Sequence, residues 1–228
     1  SNAFVFRALG QVFFQKASVS SLDPDKRTSL YKVSVEYYGR ALKSNPNWGE
    51  AWKGRGVVLH HLGKSLPAGA TEKSVYFSRA RDDFRKALGL YGNLATIWRL
   101  MGDLFLSWGA DVARRKQEPS DKLRQAYDAY SESLKRNPDQ AKIWEARASL
   151  QLSRGTLALG SGRDPGEYYE GAIADATRTI ELSPAASRAF RIRGAALCRR
   201  AAEAYKKKKF VPEDLERGIQ DLLKASEI

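Results

Sequence analysis

The sequence predicts an all-α protein of about ten antiparallel helices, arranged as five helical hairpins that stack side by side. Three observations predict it. First, Pro46, Pro138 and Pro184 lie 92 and 46 residues apart, so a period of 46 residues runs through the 228-residue chain. Second, large and small apolar residues recur in register with that period. Third, these residues lie three and four positions apart, which places them on one face of a helix. The predicted repeats of a single domain over 1–228 are 3–46, 47–92, 93–138, 139–184 and 185–228.

The first helix of each repeat is marked by three recurring positions. An aromatic residue is followed four positions later by a small one, which lets a second helix approach closely. The aromatic position holds Phe6, Trp52, Trp98, Trp144 and Phe190. The small position holds Gly10, Gly56, Gly102, Ala148 and Gly194. The next large position holds Phe13, Leu59, Phe105 and Leu197, with Gln151 as the exception.

The second helix of each repeat shows the order small, large, small. The first small position holds Ser34, Ala80, Ala126, Ala172 and Gly218. Four residues later come Tyr38, Phe84, Tyr130, Ala176 and Leu222. The last small position holds Ala41, Ala87, Ser133, Thr179 and Ala225. A single hairpin cannot bury these residues alone, so neighbouring hairpins are expected to stack.

This order resembles the tetratricopeptide repeat, whose pattern is W-x-x-L-G-x-x-Y, then A-x-x-x-F, then P. The third repeat carries it most fully, with Trp98, Met101, Gly102, Phe105, Ala126, Tyr130 and Pro138 at the pattern positions. The resemblance covers essentially the whole chain. It implies a tetratricopeptide-like right-handed α-solenoid, in which the first helices line a concave groove that binds a peptide or protein.

The family's unit has 34 residues, so about 12 extra residues lie between the helices of each repeat here. We expect them to lengthen the first helices, for example over 94–117 and 185–208. The second helices are expected to begin near Pro24, Pro119, Pro165 and Pro212, because a proline in the first turn leaves no backbone bond unmade.

The net charge favours an anionic partner. Thirty-nine Lys and Arg against 26 Asp and Glu leave +13, which suits an acidic protein or a phosphate backbone. No apolar run approaches the roughly 20 residues of a membrane-spanning helix. The absence of a secretory signal pattern and the single Cys198 fit a cytoplasmic protein. Residues 1–3 are interpreted as a remnant of tag removal, and the rest as a segment of a larger multidomain protein.

No group of residues predicts catalysis, a metal site or a cofactor, so the chain is expected not to be an enzyme. His60 and His61 are adjacent, and on a helix they point about 100° apart, too far to hold one metal ion. Gly63-Lys64-Ser65 resembles the end of a phosphate-binding loop, but the required earlier glycine is replaced by Val58. Cys198 has no histidine near it in the sequence and is expected to be a small buried residue.

The family resemblance places one position of each first helix in the concave groove. Here that position holds Arg7, Lys53, Arg99, Glu145 and Arg191. Further groove candidates are Gln11, His60, Asp103, Ser149 and Arg188. Of the five residues from Arg7 to Arg191 at the groove position, four are basic. They predict a ladder that binds an extended, acidic peptide through charge-assisted hydrogen bonds. The asparagine with which some relatives grip a chaperone's C-terminal carboxylate is absent.

Two basic clusters lie at the same position of their repeats, near the turn between the helices. They are Arg114, Arg115 and Lys116, and Lys206, Lys207, Lys208 and Lys209. One interpretation is a solvated helix end, where cations suit the helix dipole. The other is a surface for nucleic acid or an anionic membrane. A third hypothesis is self-association through exposed ends of the solenoid, as the regulatory part of a bacterial multidomain protein such as a Ser/Thr kinase.

Overall fold

The computed structural model describes residues 2–67, 69–92, 94–209 and 211–228. These residues form ten α-helices and no strands, so the predicted all-α class is confirmed. The helices are α1 Asn2–Ala17, α2 Pro24–Ser44, α3 Gly49–Ser65, α4 Glu72–Tyr91, α5 Ala95–Arg114, α6 Ser120–Arg136, α7 Ala141–Gly160, α8 Gly166–Leu182, α9 Ser187–Lys206 and α10 Pro212–Glu227. The chain divides into two compact units, residues 1–129 and 130–228, each described by itself below.

Within each unit, consecutive helices pack in the order of the sequence. In the first unit, α1 packs on α2, α3 on α4, and the second helices α2 and α4 pack on the next first helices α3 and α5. The first helices also contact one another, α1 with α3 and α3 with α5. The second unit repeats this arrangement with α7 on α8, α8 on α9, α9 on α10 and α7 against α9.

The recurring small residues of the first helices lie directly against large side chains of the second helices. A Cβ added to Gly56 would lie 2.7 Å from Cε1 of Phe84, and one added to Gly10 would lie 2.8 Å from Cδ2 of Tyr38. Any side chain at Gly10 or Gly56 would therefore push the helices apart. In the second unit Gly194 approaches the backbone oxygen of Gly218 at the same place.

A second line of close contacts lies farther along each hairpin, towards the turn. Added Cβ atoms on Gly63, Gly109 and Gly155 would lie 2.6, 2.9 and 2.5 Å from side-chain atoms of Phe77, Leu123 and Tyr169. These positions recur with the 46-residue period. The residues beyond the family's 34 therefore lengthen both helices of the hairpin, and this second line of contacts holds the added turns together.

The long first helices end two or three residues earlier than the sequence predicted. α5 ends at Arg114 and α9 at Lys206, because Lys116 and Lys208 adopt left-handed backbone angles, each with φ 57°. Gly162, with φ 70°, occupies the equivalent position after α7. The backbone N–H of Gln117 donates to the oxygen of Val112 across this turn, which completes a helix-terminating motif. The second helices do begin at or beside the four predicted prolines.

Ion pairs with a buried carboxylate cross the second, fourth and fifth hairpins beside the first line of contacts. Arg147 on α7 donates from Nε and Nη2 to both carboxylate oxygens of Asp175 on α8, at 2.8 and 2.7 Å. The same two-pronged pairing joins Arg55 to Asp83. The third instance is Arg193 with Asp221.

The guanidinium of each of these arginines also lies over an aromatic ring three residues earlier. The ring centroids are 4.8 Å from Arg55, 4.7 Å from Arg147 and 5.6 Å from Arg193, over the aromatic residues of the first recurring position. Burial raises the pKa of the Asp175 carboxyl despite its bonds to Arg147. The charged pair therefore depends on both of its members being present.

The third repeat has neither member of the pair. Its equivalent positions hold Met101 and Ala129, both buried. The third repeat thus replaces both members of the ion pair together. Met101 and Ala129 show which uncharged residues fit in the place of the Arg and the Asp.

We predict that Arg147→Met alone lowers the free energy of unfolding by about 3 kcal/mol, because it leaves the Asp175 carboxylate buried without a partner. Arg147→Met combined with Asp175→Ala, which copies the third repeat, is expected to recover most of that loss. Urea denaturation followed by circular dichroism measures both. A double variant as unstable as the sum of its single variants would contradict this account.

Candidate binding surface on the first helices

The predicted ladder residues lie at equal positions on first helices that contact one another. In the first unit, Arg7, Lys53 and Arg99 lie on α1, α3 and α5 and are all partly buried. In the second unit, Glu145 is partly buried on α7 and Arg191 is exposed on α9. Each unit therefore presents these side chains as a row along its first helices.

The rows are not made of free cations. Lys53 Nζ lies 2.7 Å from a carboxylate oxygen of Glu50, and Arg99 Nη1 donates to Asp103 at 2.8 Å. The groove candidate Asp103 is therefore the partner of a ladder residue. Such partly exposed pairs contribute little to stability and exchange readily for other partners.

The row of the second unit is also paired. Arg188 Nη1 lies 3.4 Å from Glu145, and its Nη2 donates to Ser149 Oγ at 3.4 Å. Since Glu145 is acidic, this row has one basic member, Arg191, whereas the row of the first unit has three.

An aromatic and cationic cluster at the start of the first row was not predicted. Phe4 is 63% exposed and its ring centroid lies 4.7 Å from that of Trp48. Arg7 lies over the Trp48 ring at 5.2 Å, and its Nη1 donates to Gln11 at 3.4 Å. The buried Arg7 Nε has no hydrogen-bond acceptor among the described residues. The available signal was that Trp48 lies outside the aromatic positions of the repeat.

The prediction that His60 lines the groove is wrong. His60 is buried, with Nε2 2.9 Å from Ser107 Oγ and its ring centroid 6.1 Å from that of Phe77. Burial is the main reason that its pKa falls to about 3, with smaller contributions from His61 and Lys64. The equivalent position holds Phe14, Leu106, Leu152 and Cys198, so the sequence already indicated an apolar environment.

The two basic clusters are partly used in contacts within the chain. Arg115 Nε donates to Asp111 at 2.9 Å, and its Nη2 donates to the backbone oxygen of Ala70. Lys206 pairs with Glu203 at 2.7 Å and Lys207 with Asp164 at 3.0 Å. All members of the two clusters are exposed except Arg115, which is partly buried.

Solved structures with this arrangement of helices are known. MamA from Desulfovibrio magneticus RS-1 matches with a TM-score of 0.66 and 14% identity, over 100% of this chain and 94% of that one. Another MamA structure matches with a TM-score of 0.62 and 17% identity, over 99% and 91%. YrrB, described as a TPR protein with an unusual peptide-binding site, matches with a TM-score of 0.53 and 17% identity, over 94% and 84%. The chain has the tetratricopeptide-repeat fold.

The sequence itself gives no closer relationship. No protein-family model matches the chain, and no curated protein matches it. Among the helices of the described residues, none is long and apolar enough to cross a membrane. The tetratricopeptide-repeat fold is therefore established by the helices and their packing rather than by sequence similarity.

The buried His60 makes a pH dependence of stability predictable. Its pKa is about 3 in the folded chain and about 6.5 when unfolded, so the unfolded state binds more protons between these values. The stability contributed by neutral His60 is complete above about pH 6.5 and is lost as the pH falls towards 3. Lowering the pH from 7 to 5 should therefore reduce the free energy of unfolding by about 2 kcal/mol for this group.

His60→Gln is the matched variant, because a glutamine can still bond Ser107 but does not titrate. We expect its stability to fall less steeply between pH 7 and pH 5, as measured by urea denaturation at a series of pH values. An identical slope in the two proteins would show that His60 is not the responsible group.

Proposed function

We propose that this chain is a non-catalytic scaffold that binds an extended acidic peptide along the first helices of residues 1–129. The observation that carries the proposal is the cluster of Phe4, Trp48 and Arg7, continued by Lys53 and Arg99 at equal positions of α3 and α5. The description of YrrB as a TPR protein with a peptide-binding site supports a peptide as the class of ligand.

The chemistry of this surface suits an acidic peptide with an apolar residue. Phe4 and Trp48 offer an aromatic surface, and the Arg7 guanidinium over the Trp48 ring adds a positive charge beside it. Ligand carboxylates would replace Glu50 and Asp103 as partners of Lys53 and Arg99. Because those internal pairs are partly exposed, the exchange costs little free energy.

Charge reversal tests the proposal. A random peptide library displayed on phage would be selected on the intact chain, and the selected peptides are expected to be rich in Asp and Glu. Lys53→Glu with Arg99→Glu should weaken their binding at least tenfold in fluorescence anisotropy, because two attractive contacts become repulsive.

Arg85→Glu with Lys86→Glu is the matched control. Both residues are exposed on α4, a second helix, and the double variant changes the net charge equally. The control should bind within about twofold of the original chain. Equal loss in the two double variants, or selection of peptides without acidic residues, would refute the proposed surface.

Nucleic-acid binding through the basic clusters is a weaker alternative. Arg115, Lys206 and Lys207 pair with carboxylates of the chain itself. Arg115 is held by the buried carboxylate of Asp111, so it is the member least available to a phosphate. Binding to oligonucleotides at low salt would be needed to restore this alternative.

Self-association is a second candidate function, favoured by the exposed apolar face of α10. Ile192 of α9 packs with Ala176 of α8 in a buried cluster. The residue of α10 at the repeat position equivalent to Ala176 is Leu222, which is 39% exposed. The residue of α1 at the repeat position equivalent to Ile192 is Ala8, which is also exposed. The α10 helix of one copy could therefore receive α1 of another copy as α8 receives α9.

The charges of the two helices are complementary. Within Asn2–Ala17, α1 carries two basic and no acidic residues, whereas Pro212–Glu227 of α10 carries five acidic and two basic residues. Such a contact joins two different surfaces, so it could extend to further copies.

We expect the sedimentation coefficient of the chain to increase with concentration, and Leu223→Glu, at a 60% exposed position of α10, to abolish the increase. Leu90→Glu, at a 41% exposed position of α4, is the control and should leave the increase unchanged. A chain that stays monomeric at all concentrations would exclude self-association.

A further inference from the structure

Two crevices of the first unit occupy equivalent places in successive repeats. Each lies where the end of a first helix, the start of the second helix and the following first helix meet. The first is lined in part by Arg27, Tyr31 and His61. The second has a volume of about 250 Å³ and is lined in part by Lys73, Phe77 and Ser107, which lie 46 residues later.

The partly buried cation of the first crevice is bound to the turn beside it. Arg27 Nη2 donates to the backbone oxygens of Val19, Ser20 and Leu22, at 3.2, 3.1 and 3.0 Å. Arg27 therefore holds the turn between α1 and α2.

The buried cation of the second crevice is not satisfied in this way. Lys73 is only 3% exposed, and its ammonium group has three N–H donors. Its one ionic contact among the described residues is with Asp111 Oδ1 at 3.5 Å, beyond the usual range of a hydrogen bond. Asp111 Oδ1 accepts no hydrogen bond there, while Oδ2 accepts from Arg115. The ammonium group of Lys73 therefore has donors to offer to a group bound in the crevice.

The charges around the second crevice define what that group is. Three cations line it, Lys73 inside with the exposed Lys64 and Arg114, against the single carboxylate of Asp111. That carboxylate is already engaged by Arg115. Phe77 and Leu106 supply apolar lining for the body that carries the anion.

We propose that this crevice binds a phosphoryl group. Three cations that reach the crevice from α3, α4 and α5 suit the tetrahedral set of acceptor oxygens of a phosphate monoester better than the two coplanar oxygens of a carboxylate. This site is separate from the peptide surface on the first helices, and it does not depend on that proposal.

The test is isothermal titration calorimetry of the intact chain with phosphoserine, with serine as the uncharged-side-chain comparison. Saturable binding of phosphoserine to one site is expected, and no binding of serine. Lys64→Gln with Arg114→Gln should weaken phosphoserine binding at least tenfold, and both residues are exposed, so the fold should be retained. Lys73→Met should abolish binding if that variant folds.

Arg85→Gln with Lys86→Gln lowers the net charge equally away from the crevice and should bind phosphoserine like the original chain. The charge-reversed pair Lys53→Glu and Arg99→Glu should also retain binding, which separates this site from the peptide surface. Absence of saturable binding, or equal weakening by the control pair, would overturn the proposal.

The source of the phosphoryl group is then distinguished by a second ligand. A phosphoserine-containing peptide that binds more tightly than free phosphoserine would identify a phosphorylated protein as the ligand. Tighter binding of free phosphoserine would identify a small phosphate monoester. Both outcomes require the crevice to be the site, as judged by the same variants.

Discussion

The close approach of the two helices in each hairpin constrains the rest of the structure. It requires a small residue on one helix, which faces a large side chain at Gly56 and Gly63 and the backbone of the partner helix at Gly194. Two such contacts along one hairpin fix both the distance and the register of its helices. Every other feature, including the row of side chains on the first helices, inherits its position from these two contacts.

Away from those contacts, facing positions change together while the backbone stays the same. Arg200 pairs with Asp214 at the position where Arg154 lies over Tyr168. In the third repeat that position is reversed, with Lys122 over the Trp108 ring. The same space can thus hold an ion pair, or a cation–ring contact with the cation on either the first or the second helix. This is possible because the small residues beside it already set the helix spacing.

The sequence predicted the fold because the packing positions recur with one period. The same period also contained the ion pairs, since Arg55, Arg147 and Arg193 recur 28 residues before Asp83, Asp175 and Asp221. They are recognised only when a basic position on one helix is compared with the acidic position on the facing helix. The partners of Lys53 and Arg99 could also be read from the sequence, since Glu50 and Asp103 are the acidic residues within one helical turn of them. The contact of Arg188 with Glu145 could not, because these residues are 43 positions apart on different helices.

The division between fixed contacts and variable surroundings also explains why the two crevices of the first unit can differ in chemistry. Tyr31 and Phe77 are held by the hairpin contacts, so the cavity beside them persists in both repeats. The residues that line it are not needed for the helix spacing and can diverge, as Arg27 and Ser65 have from Lys73 and Asp111. A repeat fold of this kind therefore gains a specific site by changing a few charges at a cavity that its packing already provides.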